Sequence, residues 1–177
     1  MLPSSTLTRK RRDSGKPDGR SVEIQRLVGR ALRSCIDLTQ LQGESGGLTL
    51  FVDCDVLQAD GGTRTAAITG AWVAVADALA AAQQAKLLPA AAKVLKNQVA
   101  AVSVGIVKGV PVVDLDYKED VDAEVDMNVA MLADDTFVEV QGTGEHATFT
   151  NEQLQKMLTL ATGAIRELHA AQQTARE

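Results

Sequence analysis

The amino-acid sequence predicts an α+β fold with a mixed or antiparallel sheet. Three observations lead there. Apolar residues recur at helical spacing in three separated segments. Short β-branched runs bounded by Gly, Asp and Asn turns fill the space between them. Their order is helix, strand, helix, four strands, helix, which lacks the strict strand–helix alternation of a parallel sheet. With 45 % apolar but only 3 % aromatic residues in 177, the core must be aliphatic.

Residues 3–19 are polar and punctuated by Pro3, Gly15, Pro17 and Gly19, so they read as a loop. From Ser21, a plausible N-cap, Ile24, Leu27, Val28, Ala31, Leu32, Cys35 and Ile36 share one helical face. Arg26, Arg30 and Arg33 form a basic stripe on another, with no interleaved acid, which calls for an anionic partner. After a turn-rich loop at 42–47, Leu48–Leu57 reads as an apolar strand carrying Asp53, Cys54 and Asp55. A helix is expected over Thr65–Lys86, burying Ile68, Trp72, Val75 and Leu79. Val99–Val107 and Pro111–Tyr117 form a hairpin through Lys108-Gly109-Val110. Strands at Asp126–Leu132 and Thr136–Gln141 meet at the Asp134-Asp135 turn. The last helix starts at Thr150, where Gln153 completes a capping box and Phe149 with Leu154 a hydrophobic staple. The simplest organisation is one domain over 1–177, a basic loop at 1–19 and a core at 20–177.

Residues 1–33 hold nine Lys/Arg against three Asp/Glu, and the remainder nine against twenty. A basic arm on an acidic body favours an anionic partner, either nucleic acid or another subunit's acidic face. No run of about eighteen apolar residues suggests a membrane span, and no apolar signal core follows the first basic residues. Cys35 and Cys54 read as buried thiols, and the cytoplasm is the expected compartment.

Two motifs carry chemistry. Asp60-Gly61-Gly62-Thr63-Arg64-Thr65 lies just ahead of a helix, where glycines let backbone N–H groups approach an anion and an arginine adds a bidentate grip. Asp114-Leu115-Asp116-Tyr117-Lys118-Glu119-Asp120, with Glu124 and Asp126, crowds carboxylates that repel one another unless a hard cation such as Mg²⁺ sits among them. Asp114 and Asp116 share a strand face and read as structural; Asp53 and Asp55 read as structural or as the floor of the site. His146 and His169 are poor candidates for catalysis.

The runs Glu23–Arg33, Asp53–Thr65, Asp114–Asn128 and Phe137–Thr143 resemble, in order and over nearly the whole chain, the bacterial ribonuclease PH family. That resemblance implies a phosphorolytic 3′→5′ exoribonuclease trimming tRNA precursors and other RNA 3′ ends, with inorganic phosphate as co-substrate and nucleoside diphosphates as products. It implies phosphate binding by Arg20, Gly62, Thr63 and Arg64, and RNA binding by Arg9 and Arg12, to which the basic stripe adds Arg26 and Arg30. It also implies Asp120 and Asp126 as catalytic carboxylates that hold Mg²⁺ or Mn²⁺, with Asp120 ahead of Asp126 as the proton-transfer group, and assembly as a homo-hexameric ring, a trimer of dimers. Family members usually carry a further β-rich N-terminal segment, so the sequence is expected to lack it, and Ser4 stands where an arginine is usual. The rival expectation is a truncated, non-catalytic RNA-binding or ring-assembly subunit.

Overall fold

The structure of the protein is a computed structural model, which describes residues 19–43 and 46–177. Helix α1 (Gly19–Cys35) buries Leu27, Val28, Ala31, Leu32 and Cys35 on the face that the spacing marks out. It begins before Ser21, which therefore lies in the first turn and does not cap it. A 3₁₀ turn at Leu38–Leu41 leads to a minimal antiparallel hairpin of β1 (Gln42–Gly43) and β2 (Gly46–Gly47).

The strand expected at Leu48–Leu57 does not form: these residues join no β-ladder among the described residues. Apolar, β-prone composition favours a strand only where a partner edge supplies the other half of each hydrogen bond. Leu48 and Leu50 reach the edge of the core, whereas Phe51 is 93 % exposed. Cys54 on this segment is consequently exposed, against expectation. Cys35 is buried as expected, and burial pushes its thiol up to about 11.

Helix α2 (Thr63–Gln84) buries Ile68, Trp72, Val75 and Leu79, and the Trp72 indole N–H donates to the Asn97 carbonyl at 3.1 Å. With a mean hydropathy of 1.5, it is the one described helix long and apolar enough to cross a membrane, yet its large side chains are spent on the core. Strands β3 (Val99–Val107) and β4 (Val110–Val113) are joined by Lys108 and Gly109, whose φ values of 52° and 77° fit a two-residue hairpin turn. A short helix not foreseen from the sequence, α3 (Tyr117–Asp122), interrupts the expected run to Tyr117. Then come β5 (Val125–Leu132), β6 (Phe137–Gly144) and α4 (Asn151–Thr174). The capping box of Thr150 and Gln153 is present, and Phe149 and Leu154 both pack on the core.

The sheet order is β4-β3-β5-β6, antiparallel throughout. Alternation along β3 divides the interior into two layers. Val99 and Ala101 pack with α1 and α2, while Ala100, Val102, Val104 and Ile106 pack with Met157, Ala161 and Ile165 of α4. Gln172 locks the layers together, its Nε2 donating to the Thr69 and Val99 carbonyls at 2.8 and 3.0 Å. The α1/α2 layer leaves the N-terminus of α2 over the middle of the sheet.

Candidate active site

The start of α2 is held against α3 by a glycine with no room for a side chain. A Cβ on Gly61 would stand 1.9 Å from the Leu115 carbonyl oxygen, so only glycine lets the two backbones approach so closely. Asp60 Oδ1 ties the same junction together, accepting from Gly61 N–H at 2.9 Å and Tyr117 N–H at 2.7 Å. Gly62 takes the left-handed conformation, φ 65°, as the N-cap of α2. Having no side chain, it offers no oxygen to the first-turn N–H groups, and among the described residues no side chain caps them. A 22-residue helix therefore presents open N–H donors and the positive end of its dipole at Thr63 and Arg64.

Arg64 is half-buried, and its Nε donates to Glu23 of α1 at 3.2 Å. Across from it, Asp126 of β5 is partly buried between Gly105 on β3 and Thr143 on β6. The Asp126 carboxyl is held above its ordinary value, first by burial, then by the negative charge of Asp120, with Glu145 adding and Arg64 opposing. Asp126 thus lies within electrostatic reach of both Asp120 and Arg64. Asp120 comes from α3, which Asp116 starts: its carboxylate accepts from Lys118 and Glu119 N–H at 2.8 Å each, and the Glu119 side chain completes the box. Asp116 is therefore a helix cap, and Asp114 sits at φ 58° beyond the end of β4; they do not share a strand face.

Arg64, on the helix that Gly62 caps and Thr63 begins, and Asp120 both act electrostatically on Asp126. Arg20 is exposed in the first turn of α1, one turn before Glu23. Arg26 and Arg30 line a cleft of about 300 Å³ between α1 and β6, together with Val22, Glu23, Glu139 and Gln141. The arginine stripe meets an acid from its own chain: Glu139 of β6 faces Arg30 at 3.1 Å. The two are ion-paired, and Glu139 Oε2 is buried without a hydrogen bond. Arg9 and Arg12 lie outside the described residues. No cluster of three or more His, Cys, Asp or Glu among the described residues is placed to hold a metal ion. Two carboxylates in mutual repulsion suit a cation that completes its shell with water and phosphate oxygens.

Glu23 and Glu145 escaped the sequence reading, because both reach the site from other elements.

Comparisons with known proteins agree with this fold. The 3′ exoribonuclease family matches in two parts, domain 1 over residues 1–80 and domain 2 over residues 97–164. The ribonuclease PH of Corynebacterium efficiens is 55 % identical over 177 residues, 99 % of this chain and 70 % of that protein. Among solved structures, an archaeal exosome core superposes with a TM-score of 0.69 at 24 % identity, covering 89 % of this chain and 65 % of that one. The Archaeoglobus fulgidus exosome with RNA bound to the active site gives 0.67 at 22 % identity, covering 97 % and 67 %. The chain thus spans just under two thirds to 70 % of the length of these proteins.

Proposed function

The chain belongs to the 3′ exoribonuclease family that includes ribonuclease PH, and from that premise we propose that it shortens RNA from the 3′ end by phosphorolysis. One observation carries the reading: the uncapped first turn of α2 and the Arg64 guanidinium lie within electrostatic reach of the half-buried carboxyl of Asp126. The N–H groups of Thr63 and Arg64 and the Arg64 side chain orient inorganic phosphate, with Arg20 reaching in from α1. A phosphate oxygen attacks the terminal phosphodiester phosphorus, the bond to the penultimate 3′-oxygen breaks, and a nucleoside diphosphate leaves. The leaving oxygen needs a proton. Asp120, ahead of Asp126, is the proposed proton-transfer group. Asp120 and Asp126 would hold Mg²⁺ or Mn²⁺, which when bound offsets charge on the phosphate groups.

RNA, with tRNA precursors as the proposed substrate, enters along Arg26 and Arg30 in the α1/β6 cleft, and Arg9 and Arg12 contact the tRNA body. The proposed setting is the cytoplasm and a homo-hexameric ring, in which exposed Phe51 and Leu57 would find cover. The test is phosphorolysis at saturating RNA and varied phosphate. Arg64→Ala should cost about 10²–10³-fold, and a near-normal rate with normal phosphate dependence would remove Arg64 from the site. RNA binding without any phosphate-dependent cleavage would instead favour a non-catalytic subunit.

A further inference from the structure

Beneath the first turn of α2 lies a hydroxyl with nothing to bind. Ser103 is in the middle of β3, flanked by β4 and β5, and is 2 % exposed. Its carbonyl accepts from Asp114 N–H at 2.8 Å, and the residue stands opposite Asn128 in the β3–β5 ladder. Its side-chain oxygen has no hydrogen-bond partner. The neighbouring positions that face α2 along β3 are Val99, Ala101 and Gly105, so a hydroxyl here is an exception in an apolar row. A buried hydroxyl without a partner costs free energy that alanine would not.

The hydroxyl is aimed at the N-terminus of α2. A Cβ on Gly62 would stand 3.2 Å from Ser103 Oγ and 3.2 Å from Thr65 Oγ1, so both hydroxyls lie close against the backbone of Gly62 at the start of the helix. Thr65 already donates to the Gly62 carbonyl at 2.8 Å, which leaves Ser103 Oγ as the donor in reserve. Two independent features therefore converge on one point: the uncapped end of a long helix and a buried donor without an acceptor.

We propose that Ser103 is a phosphate-binding residue, its Oγ–H donating, beside Gly62 where no side chain intervenes, to an oxygen of the inorganic phosphate held at the start of α2. The proposal rests on the phosphorolytic reading and adds to it a donor from the sheet below, where the phosphate would otherwise be gripped only from the helix and Arg64. A hydroxyl in this position rewards an anion small enough to sit against glycine, which favours free phosphate over the diester of the RNA chain.

The experiment compares the native chain with Ser103→Ala and with the near-isosteric Ser103→Cys, using inorganic phosphate as the probe. Without phosphate, Ser103→Ala should melt at the native temperature or above, since no hydrogen bond is lost. Phosphate should stabilise it far less, and its KM for phosphate should rise about 10-fold or more. kcat at saturating phosphate and affinity for a 3′-terminal RNA oligonucleotide should change much less. Ser103→Cys should show the same loss. An unchanged KM and an unchanged phosphate-induced melting shift would overturn the proposal and leave Ser103 the partner of an internal water. A weakened RNA affinity with normal phosphate KM would overturn it too, in favour of the diester. If the native chain responds to phosphate and Arg64→Ala does not, the phosphorolytic reading stands whatever Ser103 shows. If the native chain itself ignores phosphate, both readings fall.

Discussion

Replacing Gly61 with alanine should damage the site more than its single methyl suggests. The added Cβ would lie 1.9 Å from the Leu115 oxygen and 2.9 Å from the carbonyl carbons of Leu115 and Asp116. Ordinary non-bonded contact is about 3.5 Å, so the backbones must part by roughly 1.5 Å. Neither side yields easily. Leu115 is 1 % exposed, and Asp60 bridges Gly61 and Tyr117 through two hydrogen bonds. The expected loss of stability is about 1–3 kcal/mol, the range for overpacking a closed interior. The functional loss should be larger, because the displaced segment carries Gly62, Thr63 and Arg64, and a misplacement of about 1 Å can cost on the order of 10²-fold in rate. Gly70 is the control: it lies on the same helix, and a Cβ there meets nothing within 4 Å. Gly70→Ala should stabilise the protein by about 0.5–1 kcal/mol. Urea unfolding and phosphate-dependent cleavage, measured on both variants, give the comparison. A Gly61→Ala protein as stable as the native one, with native phosphate KM, would refute the claim that this contact positions the site.

Other consequences can be checked with standard assays. Mg²⁺ should raise the melting temperature of the native chain and not that of the Asp120→Asn, Asp126→Asn double variant; equal shifts would show that the cation binds elsewhere. Burial of the imidazole holds His169 below its ordinary value, against the opposing pull of the Met131 backbone and Asp135. Its stabilising contribution is therefore complete above about 6.5, the unfolded value, and is lost as pH falls. His169→Gln should flatten the fall in stability between pH 7 and 5.5; an unchanged slope in urea titrations would locate the pH dependence in other groups. Reversing Arg9 and Arg12 to Glu should weaken binding of a tRNA precursor and lessen its salt dependence, with less effect on a short oligonucleotide. Equal losses on both would move those arginines to the 3′ end or to assembly.

Local signals were legible in the sequence wherever one segment carried the whole pattern. The α2 stripe, the Thr150–Gln153 box and the β5–β6 strands needed only their own residues, and Gly62-Thr63-Arg64 needed only the helix behind it. The Asp116–Glu119 box was equally local, but the alternating Asp114 and Asp116 suggested a strand and masked it. Features that depend on a distant partner were not legible. Leu48–Leu57 has strand composition without a ladder, and Cys54 is exposed as a result. Glu139 meets Arg30 only because β6 passes α1, and the isolation of Ser103 appears only once α2 lies over β3.

The central claim is that free phosphate held at the start of α2 attacks the RNA terminus. Labelled inorganic phosphate should be given to the native chain with an RNA of free 3′ end, and the released nucleotides analysed. Nucleoside diphosphates carrying the label in the β-phosphate, formed at a rate that saturates with phosphate and falls about 10²–10³-fold in Arg64→Ala, are the predicted result. Unlabelled nucleoside monophosphates, released at a rate indifferent to phosphate, would contradict it.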